Sequence, residues 1–490
     1  MSQIIINYSQ LITESEDHLR IGQIEKVLKN LACINHKEIP TKWQRPVSNL
    51  YRRCSKPIEA LNVLAALIRG EIAKEKATDE DVIEYSLALN DLGLTNEALM
   101  RLKNIDDEKQ PQALIYQIHC YFAQWQYEDA IPLLKKYLGF SNIEPYKMAI
   151  AQLNLLAATN ALEKTSEANE IMSQLIPLCE KNQWNRLLAN CYEQKAQTLL
   201  AQHDLAGARA AIDQAASLAL SEKIVDSLYI RKWRATIEAH ESGNIRPLEE
   251  LRVKAAELQH WETLRDIDFH IASVTRSPDL VNRLYYGTPY KPFLKRMGSL
   301  EELIAPKFQI GDGQEVVFAL KDATINGRQM TKPGSKVHGL LCALHADIYR
   351  PARVGTLFSA IFPDEEFDSL SSVNRIHQLM WRTRAWLAKS KMALKIVQDK
   401  FQYRCHCLPG FAIIQYREKK QAQSNLDHSL EKAQMTFNEL FFSKSDLAKC
   451  LQTSNSTTLR ILNYGLSKGL IVRNGENSNT IYYFAPKRSA

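Results

Sequence analysis

The stretch Ser372 to Leu387 reads SVNRIHQLMWRTRAWL. Wound at 3.6 residues per turn, it puts Val373, Ile376, Met380, Thr383 and Leu387 on one stripe for a small core to bury. Its other faces carry Asn374, Arg375, Gln378, Arg382 and Arg384. Upstream lie an acidic loop, Pro363 to Asp368, and two shorter helical patterns, Arg353 to Ile361 and Ser335 to Ala346. Before those, Phe308–Ile310, Val316–Leu320 and Ala323–Ile325 alternate like small strands, and Asn326-Gly327 is a hairpin signal. Downstream, Leu394–Val397 and Gln402–Leu408 read as a closing hairpin.

Strands, three helices and a terminal hairpin, in that order, resemble the OmpR/PhoB-type winged-helix effector domain over residues 307–415. The resemblance implies that the third helix enters the DNA major groove. Asn374, Arg375 and Gln378 are then the candidates for bases, because Asn and Gln suit adenine and Arg suits guanine. Arg382, Arg384 and Lys389 are the candidates for phosphates. The wing departs from the family: where Arg-Gly-x-Gly-Tyr is usual, this chain has Asp399-Lys400-Phe401-Gln402-Tyr403, and only the tyrosine remains. The resemblance therefore gives no support for minor-groove contact, and Lys400 and Arg404 remain as phosphate candidates. No clustered aspartates of a receiver domain precede the module, so phosphotransfer is not the expected input.

After a polar linker, Arg417 to Asn425, a second module follows over residues 426–486. A short helix (Ser445–Leu451), a turn (Gln452-Thr453-Ser454), a helix (Ser456–Ser467), Lys-Gly-Leu-Ile at 468–471 and a strand (Thr480–Phe484) resemble the winged helix-turn-helix of many bacterial repressors. Ser454 is placed to cap, Leu462 and Leu466 to be buried, and Gly469 to supply a left-handed exit. Asn455, Ser456, Thr458 and Arg460 are expected at an exposed helix start, and Arg473 with Asn474 leads into the wing. Such modules bind DNA, or dock protein and dimerise. Both alternatives stay open for this one.

From residue 8 to 275 the apolar period is that of helix after helix. Short polar turns recur, and Ala60, Ala98, Ala130, Ala168 and Ala208 follow them at spacings of 38, 32, 38 and 40 residues. A small side chain there lets the two helices of a hairpin cross closely. With Leu89 to Gly93 before Ala98 and Tyr121-Phe122 before Ala130, the segment 1–285 resembles a degenerate tetratricopeptide array, although most repeats lack the consensus Trp and closing Pro. Such arrays have a concave surface for a peptide, protein or small ligand. Trp125, Tyr127, Trp184, Trp233 and Trp261 either line that surface or anchor the packing between repeats.

The expected fold is therefore mainly α: a tetratricopeptide-like solenoid followed by two small α+β winged-helix domains. Charge divides the same way. From residue 289 onward there are 29 Lys+Arg against 17 Asp+Glu, an excess of +12, which leaves −5 for the rest of the +7 total. A basic second part suits a polyanion. Nine cysteines form no Cys-x-x-Cys pair, and Cys405-His406-Cys407 reads as strand rather than metal site. Nucleotide-binding glycine loops and His-Glu-x-x-His are absent, so neither enzyme nor cofactor is expected. Without a signal peptide or a membrane-length apolar run, a cytoplasmic location and no membrane partner are expected. The leading expectation is a bacterial DNA-binding transcriptional regulator, with duplex DNA on the winged helices and a protein or peptide on the array. The alternative is an interaction scaffold whose winged helices dock protein or form a homodimer.

Overall fold

A computed structural model describes residues 7–72, 75–218, 225–314, 316–399, 401–416, 425–437, 440–474 and 480–485. The N-terminal part is a run of antiparallel helical hairpins. It opens with α1 (Tyr8–Arg20) and α2 (Ile24–Leu31), α3 (Thr41–Arg53) and α4 (Pro57–Ile68), and α5 (Asp79–Asp91) and α6 (Thr95–Leu102). Next come α7 (Gln112–Phe122) and α8 (Tyr127–Leu138), α9 (Pro145–Ala161) and α10 (Thr165–Lys181), and α11 (Asn185–Ala201) and α12 (Leu205–Leu218). It closes with α13 (Val225–Ser242) and α14 (Arg246–Glu257), α15 (Trp261–Thr275) and α16 (Pro278–Tyr286), and the short α17 (Lys291–Lys295).

Local chemistry makes the hairpins. Ala60, Ala98, Ala130, Ala168 and Ala208 are all fully buried, as close crossing requires. The turns share one device that the composition does not reveal. Gly22, Ser55, Gly93, Trp125, Glu163, Gln183, His203 and Gln259 all adopt positive φ at the end of a helix. The next residue's N–H then donates to the carbonyl five positions back, as Leu94 does to Leu89 (3.0 Å) and Gln126 to Tyr121 (3.0 Å). This 6→1 bond closes the helix end and reverses the chain. Gly70 makes the same turn, with the Glu71 N–H on the Ala66 carbonyl (2.9 Å), but six of these positions are not glycine and carry the cost of a left-handed residue with a side chain.

The second part comprises β1 (Lys307–Gly311), β2 (Val316–Ala319), β3 (Thr324–Ile325), β4 (Arg328–Gln329), α18 (Lys336–His345), β5 (Ala352–Arg353), α19 (Val354–Ile361) and α20 (Ser371–Lys389). β6 (Leu394–Asp399), β7 (Gln402–Cys407) and β8 (Phe411–Tyr416) follow. Then come α21 (Asn425–Phe437), α22 (Lys444–Leu451), α23 (Asn455–Ser467), β9 (Ile471–Asn474) and β10 (Ile481–Phe484). β8, which the alternation of the sequence did not signal, inserts in a sheet of order β1-β8-β2-β3-β4, antiparallel to β1 and parallel to β2. Its Phe411, Ala412 and Ile413 are all buried, the continuous apolar run of a central strand. The expected stripe of α20 is buried throughout, at Val373, Ile376, Met380, Thr383 and Leu387. In the last segment Ser454 accepts from the Thr457 N–H at 3.3 Å, and Gly469 has φ +65°.

The described residues divide into two compact units: Met1–Pro306 with Leu344–Gln378 and Ile396–Cys405, and Lys307–Ala343 with Leu379–Lys395 and His406–Ala490. In the first unit α19 abuts the α5–α6 turn. The Gly355 N–H at its start donates to the Leu92 carbonyl (3.1 Å), and Thr356 donates to the Gly93 carbonyl (3.3 Å). A helix N-terminus thus satisfies carbonyls freed at a helix C-terminus. A Cβ on Gly355 would stand 2.6 Å from both the Leu92 carbonyl oxygen and Leu94 Cγ. Gly355→Ala, which helix propensity favours, should therefore lower stability by about 1–3 kcal/mol through overpacking. Thermal unfolding checks this, and an unchanged or raised midpoint would show that the contact yields.

Candidate functional site

Two regions gather polar side chains in a form able to hold a partner. The first lies inside the helical array, a cavity of about 540 Å³ lined by residues from Trp125 to Arg296. Trp125, Tyr127 and Trp233, three of the five aromatic candidates, are in its wall. Trp184 instead packs against Tyr146 (5.0 Å between rings), and Trp261 lies under the Arg404 guanidinium (4.4 Å). Trp125 sits at one of the left-handed turns, and its indole donates to Glu262 at 2.9 Å.

The charged floor of the cavity was not singled out from sequence. Asp266 is buried, and it accepts from Lys232 Nζ (2.5 Å) and Arg296 Nη1 (2.6 Å). These cations hold its carboxyl well below the usual carboxylate range, against the effect of burial. His270 Nε2 lies 3.5 Å from the same carboxylate, yet burial lowers the imidazole to about 4. The Lys232 ammonium stands 4.1 Å from the Trp233 ring centre, and the Arg296 guanidinium 4.2 Å from that of Phe269. The Trp233 indole N–H is buried without a hydrogen-bond partner among the described residues. Such a donor inside a cavity wall is an unmade bond. A signal was present in the sequence: Glu262, Asp266, His270 and Ser273 recur every three or four residues, one polar stripe along the helix.

That helix, α15, has a second polar face, formed by Arg265 and Asp268. Arg265 is fully buried and binds both oxygens of Asp347 (2.8 and 2.7 Å). Its guanidinium carbon lies 4.9, 5.9 and 5.3 Å from the ring centres of Tyr290, Phe293 and Tyr349. Asp268 accepts from Arg252 (2.5 Å) and from the Tyr349 hydroxyl (2.9 Å). One face of α15 therefore lines the cavity, and another grips the Asp347–Tyr349 loop that precedes α19.

The second region is α20. Asn374, Gln378, Arg382, Arg384 and Lys389 are exposed, as a reading face requires. Arg375 is not available in the same way: it pairs with Glu365, and its guanidinium stands 3.9 Å from the Phe362 ring centre. The acidic loop that sequence placed beside it supplies that partner. Arg404, expected to meet phosphate, is half-buried; it donates to the Tyr349 carbonyl (2.9 Å) over Trp261, and burial lowers its basicity. Lys400 lies outside the described residues. The first unit also holds the α19–α20 turn through Arg69 with Asp368 (2.5 Å) and Arg101 with Glu366 (3.2 Å).

In the last segment Asn455, Ser456, Arg460 and Arg473 are exposed. Thr458 corrects the expectation of a uniformly exposed helix start. It is fully buried, 2.8 Å from the Thr453 hydroxyl, and donates to the Ser454 carbonyl at 2.9 Å. Four residues past the Ser454 cap, the helix has turned it inward. No group of three or more His, Cys, Asp or Glu able to hold a metal occurs among the described residues, and none of their helices is long and apolar enough to cross a membrane.

No family model matches the chain, and no curated protein matches it. Among solved structures, it is similar to a tetratricopeptide repeat protein from Parabacteroides merdae at 17% identity and TM-score 0.40, over 55% of this chain and 99% of that one. It is similar to a Rap protein complexed with competence and sporulation factor at 12% identity and TM-score 0.38, over 60% and 97%. A third is the Rap conjugation gene regulator of the plasmid pLS20 in complex with the Phr* peptide, at 10% identity and TM-score 0.38, over 78% and 97%.

Proposed function

We propose that this chain is a non-enzymatic, cytoplasmic regulator. Its array takes a peptide or protein segment in the Trp125–Trp233–Asp266 cavity, and its strand-and-helix modules hold duplex DNA. The observation that carries the reading is the double role of α15, which lines the cavity with Asp266 and His270 and grips the loop before α19 with Arg265 and Asp268. A partner that displaced α15 by binding in the cavity would act on both faces of one rigid helix.

DNA binding rests on α20. Its 19 residues contain no Asp or Glu but include Arg382, Arg384 and Lys389, all exposed. The full chain is expected to bind duplex at low ionic strength and to lose affinity steeply with salt. Arg382→Ala and Lys389→Ala should each weaken binding evenly across sequences and reduce the log–log salt slope by about 1. Titration of labelled duplex at several salt concentrations measures both. If both variants keep the parent's slope, phosphate contact by this face is refuted.

The scaffold reading draws on two observations. Arg375 and Arg404 are engaged within the first unit, and Leu440 and Phe441 before α22 are strongly exposed. Passage of the intact chain through a duplex column at low salt would favour it.

A further inference from the structure

Trp381 is the most exposed of the large hydrophobic side chains described, at 70%. Nothing in the core needs it: Leu379, Met380, Thr383 and Leu387 form the buried side of this part of α20. Ala385 and Ala388, four and seven residues on, share its helical face and leave the indole standing above its surroundings. A single exposed apolar side chain is ordinary on a protein surface; what sets this one apart is the charge beside it on the helix.

The charge around it selects the occupant. Arg382, Arg384 and Lys389 are exposed close by on the helix, and no carboxylate lies anywhere along α20. A helix that presents one large apolar group with cations and no carboxylate of its own complements a polyanion that also carries apolar points. Duplex DNA is such a partner, because each thymine sets a C5 methyl on the floor of a major groove wide enough for a helix. We propose that Trp381 is a specificity-determining residue of α20, its indole packing on a thymine methyl while Arg382 and Lys389 hold the flanking phosphates. The proposal rests on the duplex-binding reading above.

The test uses the full chain. A bound sequence is first selected from a random duplex pool; each thymine of that site is then replaced in turn by uracil, which differs only in lacking the methyl. One replacement should weaken the parent about fourfold, the scale of one buried methyl group. Trp381→Ala should show the same loss on the thymine duplex and no further loss on the uracil duplex. Its salt slope should match the parent's, because no phosphate contact is removed. A parent that binds duplex but is indifferent to every uracil, or a Trp381→Ala variant as tight as the parent, overturns the inference and leaves DNA binding standing. A parent that binds no duplex at low salt overturns the DNA reading itself and the inference with it.

Discussion

Arg265→Ala should destabilise the first unit by about 3–5 kcal/mol, the cost of breaking a buried pair and stranding one charge. The guanidinium is fully buried among Tyr290, Phe293 and Tyr349, and Asp347 is mostly buried too. Removing the cation leaves the carboxylate without its strongest partner and opens a void among three rings. Asp347 keeps the backbone N–H groups of Tyr349 and Arg350, at 3.0 and 3.1 Å, so it cannot simply turn to water. Denaturant unfolding measures the loss. Pairing the change with Asp347→Asn in a double-mutant cycle isolates the interaction. A single-mutant loss below about 1 kcal/mol would mean that the loop before α19 is held by other contacts.

The second large effect concerns pH. Burial lowers His270 from its ordinary 6.5 to about 4, so the folded chain keeps it neutral where the unfolded chain takes up a proton. Unfolding therefore binds a proton through this window, and stability falls as pH drops from 6.5 toward 4. The loss from this group amounts to about 3 kcal/mol at roughly 1.4 kcal/mol per pH unit. Below that window its contribution levels off, while Asp266, held low by Lys232 and Arg296, begins to lose its own as it protonates. His36, His119 and His240 are also lowered by burial and add in the same direction, so the comparison must be with His270→Gln. The variant's stability curve should be flatter than the parent's between pH 6.5 and 4. Two parallel curves would show that His270 is not the buried neutral group assigned here.

Features fixed by near neighbours were legible before any coordinates. The alanines that let hairpins cross, the buried stripe of α20 and the cap at Ser454 all follow from spacing along one element. The strand β8 was missed because its order in the sheet depends on β1 and β2, about a hundred residues earlier. Thr458 was misplaced for a smaller reason: only three-dimensional registry decides which residue of a first helical turn faces the core.

Sequence by itself determined that this protein is mainly helical, that its repeats are helical hairpins, and that α20 is a basic helix with one apolar stripe. These are properties of periodicity and composition, which act within a few residues. Tertiary structure alone decided which cations are engaged inside the fold and which stay exposed. Arg375 answers to Glu365 ten residues away, Arg404 to Trp261 across the first unit, and Arg265 to Asp347 at a separation of 82 residues. It also decided that Lys232, Asp266 and Arg296 share one cavity floor. Electrostatic partners are chosen by distance in space, and sequence spacing carries that distance only within a single helix or strand.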